Sequence, residues 1–546
     1  MRLLKRFLPS LAIFVALVAV LTTLGAAMTP QWSVEPLTQH IKVASTNSAI
    51  QARDTKTAQE GTYQVKTRNL RIKLAPDVTI NAILRSPVGA PGKRPATLFI
   101  HGAGTGKASE VYGDIASAMS SAGIVTLVPD KRLDTYTTFH RDYYAMAEDY
   151  MTSLKTLQTQ LDVDPAQTGI YAESEGTWIA EAMAHRHPGA IPFMMLTSPP
   201  AVSGRRQMAM AANTYVDYIG APKALNHDVN KFIGLDFAPL GLQYADFPAE
   251  RYLKDLTMPL LVSFGTDDLS MPIEQGATDI VDATRAAGNR NVLVRYYHAN
   301  HQMRVGAHTS VPGLPLDMHY THDLEDWTNA IAAGTKADGW VTPQIAGDQP
   351  HQRLAVPANV KPGLIGSLST ILVLLAAIVL CISMAGIVGI CIAIGHARQR
   401  SKQDSSSLTD KNLVNRTSTK TTRVRLSWGD TDHNRFPHRL TAALALNGCC
   451  AILGIVMFFV YVIIAAKSAL TLTSRGTLLT WGWALMQVIA LINVALFTWL
   501  IRELWHSCSK HFQSFWTPAH FIVTALCVIA AVVSLVMMTF FGLFSL

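Results

Sequence analysis

Five apolar stretches constrain this chain more than any other feature. They cover residues 7–28, 364–394, 440–466, 478–500 and 521–543 of 546. Each reaches the roughly 20 apolar residues that a helix needs to cross a bilayer core. A segment in lipid must satisfy its own backbone, so each is expected to be a helix. The second is longer than required and is expected to tilt or run past the bilayer. Between the first and second stretches lies a polar segment, about residues 29–362, able to fold in water.

Charge sets the orientation. The loop 396–439 carries ten Lys and Arg against four Asp and Glu, with Arg398, Arg400 and Lys402 at one end and Arg435 and Arg439 at the other. Cytoplasmic loops carry such an excess. The N-terminus is then inside, residues 29–362 are extracytoplasmic, the hairpin 467–475 is outside, the loop 502–519 is inside, and the C-terminus is outside. The first stretch follows Arg2, Lys5 and Arg6 and ends at Gly25, Ala26 and Ala27. It reads as an uncleaved anchor or as a signal peptide. Both readings put the middle segment outside. Trp481, Trp483, Trp499 and Trp505 fall near the expected interfaces. The span centres hold almost no ionisable residue, which argues against an ion path. The helices 364–395 and the three in 440–546 therefore read as an anchor, a partner-binding module or a lipid-facing platform.

The net charge of +8 comes from basic residues beside the apolar spans, which points to membrane orientation and away from nucleic acid. All six cysteines lie in the last third, at Cys381, Cys391, Cys449, Cys450, Cys508 and Cys527. The middle segment thus offers no disulfide, no thiolate nucleophile and no thiolate metal site.

Residues 29–60 are polar and read as a linker, as do residues 341–363. From 61 to 340, short apolar runs alternate with helical patterns. TYQVKTRNLRIKL and VTINAILRSP read as an opening strand pair. ATLFIHG, GIVTLVPD, TGIYAES, FMMLTSP, PLLVSFG and VLVRYY follow as strands, with helical patterns at 116–122, 143–161 and 177–187 between them. This alternation predicts an α/β fold: a doubly wound, mostly parallel sheet covered on both faces. An all-α transmembrane region follows it. Residues 201–254, with Met208, Met210, Tyr215, Tyr218, Phe232 and Phe237, read as a lid, either suited to an acyl chain or simply packed on the body.

In such sheets the chemistry gathers past the carboxyl ends of the strands. Ser174 ends TGIYAES and precedes the helical TWIAEAMAHR. Strand, sharp turn and helix is the setting of a nucleophile elbow, whose crowding demands small residues two positions either side. Those are Ala172 and Gly176. A helix-capping serine is the alternative. A serine nucleophile also needs a base and an orienting carboxylate. Asp267 or Asp268 follows PLLVSFG, and His298 or His301 follows VLVRYY. HGAGTGKAS lacks the spacing of a phosphate loop, because His101 and Ala108 stand where Gly and Ser or Thr belong. His298, His308, His319 and His322 match no tight metal motif and read as surface residues. Lys131 and Arg132 read as structural ion pairs before anion ligands.

These segments together resemble the α/β-hydrolase superfamily, in particular bacterial serine esterases and catalytic domains related to prolyl oligopeptidase. The resemblance covers about residues 60–335. It rests on IHGAG (100–104), VPDKR (128–132), VDPAQTGIYAESEGTWIA (163–180), PLLVSFGTDDLSMP (259–272) and YYHANHQM (296–303). It departs at Ala172 and Leu133, where relatives commonly carry glycine. The resemblance implies Ser174 as nucleophile, His301 as base in preference to His298, and Asp268 as the orienting acid in preference to Asp267. It implies the N–H groups of Ala103 (or Gly104) and Glu175 as the oxyanion hole. The expected activity is that of a serine hydrolase at a bacterial cell membrane, most simply on a carboxylic ester. The substrate would be a small-molecule or lipid ester of the cell envelope, attacked by hydrolysis or acyl transfer. No cofactor, metal or nucleic acid is expected. Contacts with membrane lipids, and with a membrane-protein partner through the C-terminal helices, are. A prolyl-oligopeptidase-type peptidase is the alternative, weakened because only about 30 polar residues precede the first strands. A non-catalytic module keeping the fold but binding a partner is a third, supported only by Ala172 and Leu133.

Overall fold

A computed structural model describes residues 2–104, 106–414, 437–511 and 517–545. Arg435 and the central part of the basic loop lie outside the described residues. The chain opens with helix α1 (Arg2–Met28) and then runs extended to residue 64. Strands β1 (Val65–Ala75) and β2 (Val78–Pro87) form the opening antiparallel pair. β3 (Arg94–Ile100), helix α2 (Gly113–Ser121), β4 (Val125–Pro129), α3 (Tyr143–Gln158) and β5 (Val163–Glu173) follow. Then come α4 (Glu175–Arg186), β6 (Met194–Thr197), α5 (Gly204–Tyr218), α6 (Lys223–Gly234) and β7 (Leu260–Gly265). α7 (Gln275–Ala286), β8 (Val292–Tyr297), α8 (Tyr320–Ala332) and β9 (Ile345–Gly347) complete the α/β part. The apolar helices are α9 (Leu368–Val414), α10 (His438–Leu470), α11 (Gly476–His511) and α12 (Pro518–Phe540).

The nine strands form one sheet in the order β1-β2-β4-β3-β5-β6-β7-β8-β9. β2 pairs antiparallel with β1 and β4; from β4 to β9 every pairing is parallel. The central strands are apolar at nearly every position because both of their faces are covered. Side chains alternate along them. Leu98, Ile100, Ala172, Leu196 and Val262 face α3, α4 and α7, whereas Phe99, Tyr171, Met195 and Leu261 face α2 and α8. β1 is an edge strand and carries Lys66, Arg68, Arg71 and Lys73, charges that discourage pairing with another chain.

The polar segment 29–60 is packed along its length. Leu37 and Ala355 amides bond Arg353 and Glu35 carbonyls, and Ala44 and Gly347 amides bond Ile345 and Ser45 carbonyls. Trp32 and Ile50 are buried. Its composition is polar because it is held by backbone hydrogen bonds and a few isolated apolar anchors.

Among the described residues, five helices are long and apolar enough to cross a membrane: Leu8–Met28, Leu368–Arg398, His438–Leu470, Gly476–Ser509 and Pro518–Phe540. α9 continues past its apolar part to Val414. α1 packs with the others: Leu21 and Met28 join their core, and Thr22 Oγ1 donates to Phe544 O at 3.1 Å. The same apolar cluster takes in Val216, Ile219, Leu225 and Leu235 of the 201–254 region. Phe232 of α6 lies against Phe540 and Phe541, and buried Lys231 donates to Phe540 O at 2.9 Å and pairs with Asp228 at 3.0 Å. The 201–254 region thus joins the α/β body to the apolar helices.

Candidate active site

Ser174 stands at the junction of β5 and α4 with φ 56° and ψ −124°. Such a backbone is costly for a residue with a Cβ and persists only where the surroundings enforce it. The Ser174 amide donates to Thr197 O at 2.9 Å on β6. The hydroxyl does not cap α4, so the helix-capping reading fails on geometry. The turn is tight enough to explain the small neighbours. A Cβ on Gly176 would lie 2.8 Å from Ile100 O and 2.9 Å from His101 O. A Cβ on Gly102 would lie 3.3 Å from the Ser174 Cβ. Ala172 is buried within the β3–β5–β6 pairing, opposite Ile100 and Leu196, and the sheet accommodates its single methyl. Gly176→Ala is therefore expected to cost about 1–3 kcal/mol of stability by overpacking and to lower activity with it. Denaturant midpoints beside ester turnover would measure both.

The candidate acid and base lie past β7 and β8. His301 Nδ1 is 2.7 Å from Asp268 Oδ2. The other carboxylate oxygen of Asp268 accepts from the Ser270 hydroxyl at 2.6 Å and the Ser270 amide at 2.8 Å. Asp268 is buried, which alone would raise its pKa. The nearby His301 charge and the hydrogen bonds from His301 and Ser270 outweigh burial and hold it below the usual carboxylate value. Burial alone would lower the His301 pKa, but Asp268 wins and raises it. The other candidates face elsewhere. His298 is 71% exposed and pairs with Asp348 at 3.3 Å. Asp267 O bonds His308 Nδ1 at 3.1 Å. Gly265 fixes this end of the sheet, because a Cβ there would lie 2.2 Å from Ala299 O and 2.3 Å from Asn300 O.

Ser174 and His301 sit at the same carboxyl edge: the Ser198 hydroxyl, just past β6, donates to His301 O at 2.8 Å. Ser174 Oγ makes no hydrogen bond to His301 or to another described residue. Apo catalytic contacts are often loose and tighten with substrate. Ala103 lies in the exposed turn after β3. Gly104 follows it with φ 75°. Glu175 supplies the first amide of α4, one of the N–H groups that a helix leaves without an internal partner.

The side chain of Glu175 has a role that the sequence reading missed. Its buried carboxylate accepts from Tyr136 at 2.6 Å, from Tyr143 at 2.9 Å and from Arg141. Lys131, also buried, lies 3.6 Å away and donates to Gly102 O at 2.6 Å. Lys131 therefore ties the loop after β3 to the elbow. Burial is the first cause that lowers its pKa, from 10.5 to about 8, against the pull of Glu175. Arg132 pairs with Asp134 at 2.7 Å and Asp149 at 3.8 Å. His101 bonds Pro129 O through Nε2 at 2.6 Å, and burial lowers its pKa to about 4, so it stays neutral.

A cavity of about 530 Å³ opens beside the site, bounded by Glu173, Gln302 and Arg304 and by the segments 109–115 and 310–314. Glu173 directly precedes Ser174, and Gln302 directly follows His301. α5 also reaches this edge: Gln207 donates to Ser270 O at 2.5 Å.

No protein-family model matches the sequence. No curated protein is similar to it in sequence. Part of the chain is similar to solved structures. Porphyromonas gingivalis dipeptidyl peptidase 4 is 16% identical, with a TM-score of 0.31 over 44% of this chain and 33% of its own length. An esterase from Pyrococcus furiosus is 14% identical, with a TM-score of 0.31 over 49% of this chain and 91% of its own. A dienelactone hydrolase from Anabaena variabilis is 15% identical, with a TM-score of 0.32 over 50% of this chain and 100% of its own. The chain thus spans a third of the peptidase and nearly all of the two smaller proteins. With its strand order, its strained elbow and Ser, Asp and His in that order after β5, β7 and β8, the middle of this chain is an α/β-hydrolase fold, and a group of long apolar helices follows it.

Proposed function

We propose that the chain is a membrane-anchored, extracytoplasmic serine hydrolase acting on a small-molecule or lipid ester. One observation carries the reading: Ser174 is held at φ 56°, with its hydroxyl freed from helix capping, at the sheet edge that also bears the Asp268–His301 pair. In the first step the Ser174 oxygen bonds to the acyl carbon as His301 Nε2 takes the hydroxyl proton. The oxyanion would be met by the amides of Ala103 and Glu175. Collapse of the tetrahedral species breaks the carbonyl–alkoxide bond, and His301 returns the proton to the leaving alcohol. A water, or another hydroxyl, then repeats the sequence on the acyl-enzyme. Asp268 would keep the Nδ1 proton in place and the imidazolium stable.

The lipid side of the proposal is supported by the lid. Its helices share an apolar cluster with the spans, so an ester carried in the outer face of the membrane would meet the site over a short path. The cavity beside Glu173 would take the polar part of the substrate. The basic loop supports an inward N-terminus by the positive-inside rule. The deciding experiment treats the full-length protein in detergent with a fluorophosphonate and an activated short-chain ester, wild type beside Ser174→Ala. Labelling and turnover are expected in the wild type, with both lost in the variant and turnover down by about 10⁶. A folded wild type that neither labels nor turns over would sink the proposal.

A further inference from the structure

Where the segment 29–60 meets α8, three side chains gather that the proposed reaction does not use. Glu60 closes the segment, and His322 and Glu325 lie three residues apart on one face of α8. One ligand atom from each lies within 4.8 Å of the others. Glu325 is fully buried. Its Oε2 accepts from the Glu60 amide at 3.1 Å and lies 3.7 Å from His322 Nδ1. Its Oε1 has no hydrogen-bond partner among the described residues. A buried carboxylate oxygen without a donor is costly. Glu60 adds a second carboxylate, which accepts from the Thr321 hydroxyl at 3.2 Å. Among the described residues no Lys or Arg forms an ion pair with either. Either a proton or a cation must relieve this arrangement.

We propose that Glu60, His322 and Glu325 hold a divalent transition-metal ion of the zinc type, with water completing its shell. Imidazole with two carboxylates suits zinc, whereas magnesium and calcium favour all-oxygen sets. Glu60 and His322 are exposed, so the ion has a way in, and the buried Glu325 carboxylate, one oxygen of which has no hydrogen-bond partner among the described residues, gives it an anchor. The role is a clamp. The ion would fix the end of the 29–60 segment to α8, whose first residue, Tyr320, bonds Thr197 at 2.7 Å and Tyr171 at 2.9 Å under the elbow.

The test strips the full-length protein in detergent with a chelator and titrates it with Zn²⁺ by calorimetry, with melting temperature as a second readout. Wild type is expected to bind an equivalent that is lost, or weakened at least tenfold, in both Glu325→Gln and His322→Ala. Zn²⁺ should raise the melting temperature of wild type alone, and Mg²⁺ should not replace it. Wild type without bound Zn²⁺, or with binding unchanged in both variants, would overturn the proposal and leave Glu325 holding a proton. His322 is exposed, so its variant remains informative if Glu325→Gln does not fold. Hydrolase activity does not enter the readout.

Discussion

Asp268→Asn is expected to lower kcat by about 10⁴-fold while leaving the fold and Ser174 intact. The size follows from what Asp268 touches. One carboxylate oxygen holds His301 Nδ1 at 2.7 Å, and the other is fixed by two bonds from Ser270. An amide there can turn its NH₂ toward Nδ1, which favours the wrong tautomer and takes the acceptor away from Nε2. The pH profile carries a second signature. In the proposed reaction His301 must be neutral to accept the serine proton, and Asp268 raises its pKa. The acid limb of kcat/KM in wild type should therefore lie above the ordinary histidine value of about 6.5. In the variant the charge is gone and burial remains, so the limb should move to lower pH. A fall in rate without a shift of the limb would mean that Asp268 only holds a loop. Fluorophosphonate labelling should slow but still reach Ser174.

Much of this was legible in the sequence, and the remainder has physical reasons. The buried parallel strands show as apolar runs because both their faces are covered. Ser174 is marked by a strand running straight into a helix through small residues. The choice of Asp268 over Asp267 rested on the family resemblance; the structure sets Asp268 against His301. Strand β9 leaves no mark in the sequence because three residues at a sheet edge carry no period. It is pinned by backbone bonds from Ala44 and to Ser45, which no side chain advertises. The 29–60 segment read as a linker for the same reason. At Glu175 the sequence points only to the amide. Its carboxylate is held by residues on another loop and helix, and sequence spacing does not reveal that they converge. The joint between the lid and the apolar helices was hidden likewise, since Lys231 meets a carbonyl 309 residues away.

The second large effect is expected at Lys131. Lys131→Met should lower kcat by about 10²-fold with little change in KM, because a small displacement of oxyanion donors is costly. Glu175 keeps Arg141, Tyr136 and Tyr143 as partners, so the loss should appear in kcat more than in stability. Lys131 does not reach the reacting atoms. It acts through Gly102 O, 2.6 Å away, and through Glu175, so it positions the two segments that carry the proposed oxyanion amides. Its pKa, lowered to about 8, gives the role a readout that simple packing would not move. As pH rises through about 8 the ammonium loses its charge and its grip on both segments weakens, so wild-type kcat should fall there. Stability should move the other way. The unfolded chain binds this proton more tightly than the folded one, so between about pH 8 and 10.5 this group makes folding more favourable as pH rises. Activity and stability should therefore diverge across that window in wild type and lose this divergence in Lys131→Met. A variant that keeps the same basic limb would assign that limb to another group and reduce Lys131 to a packing residue.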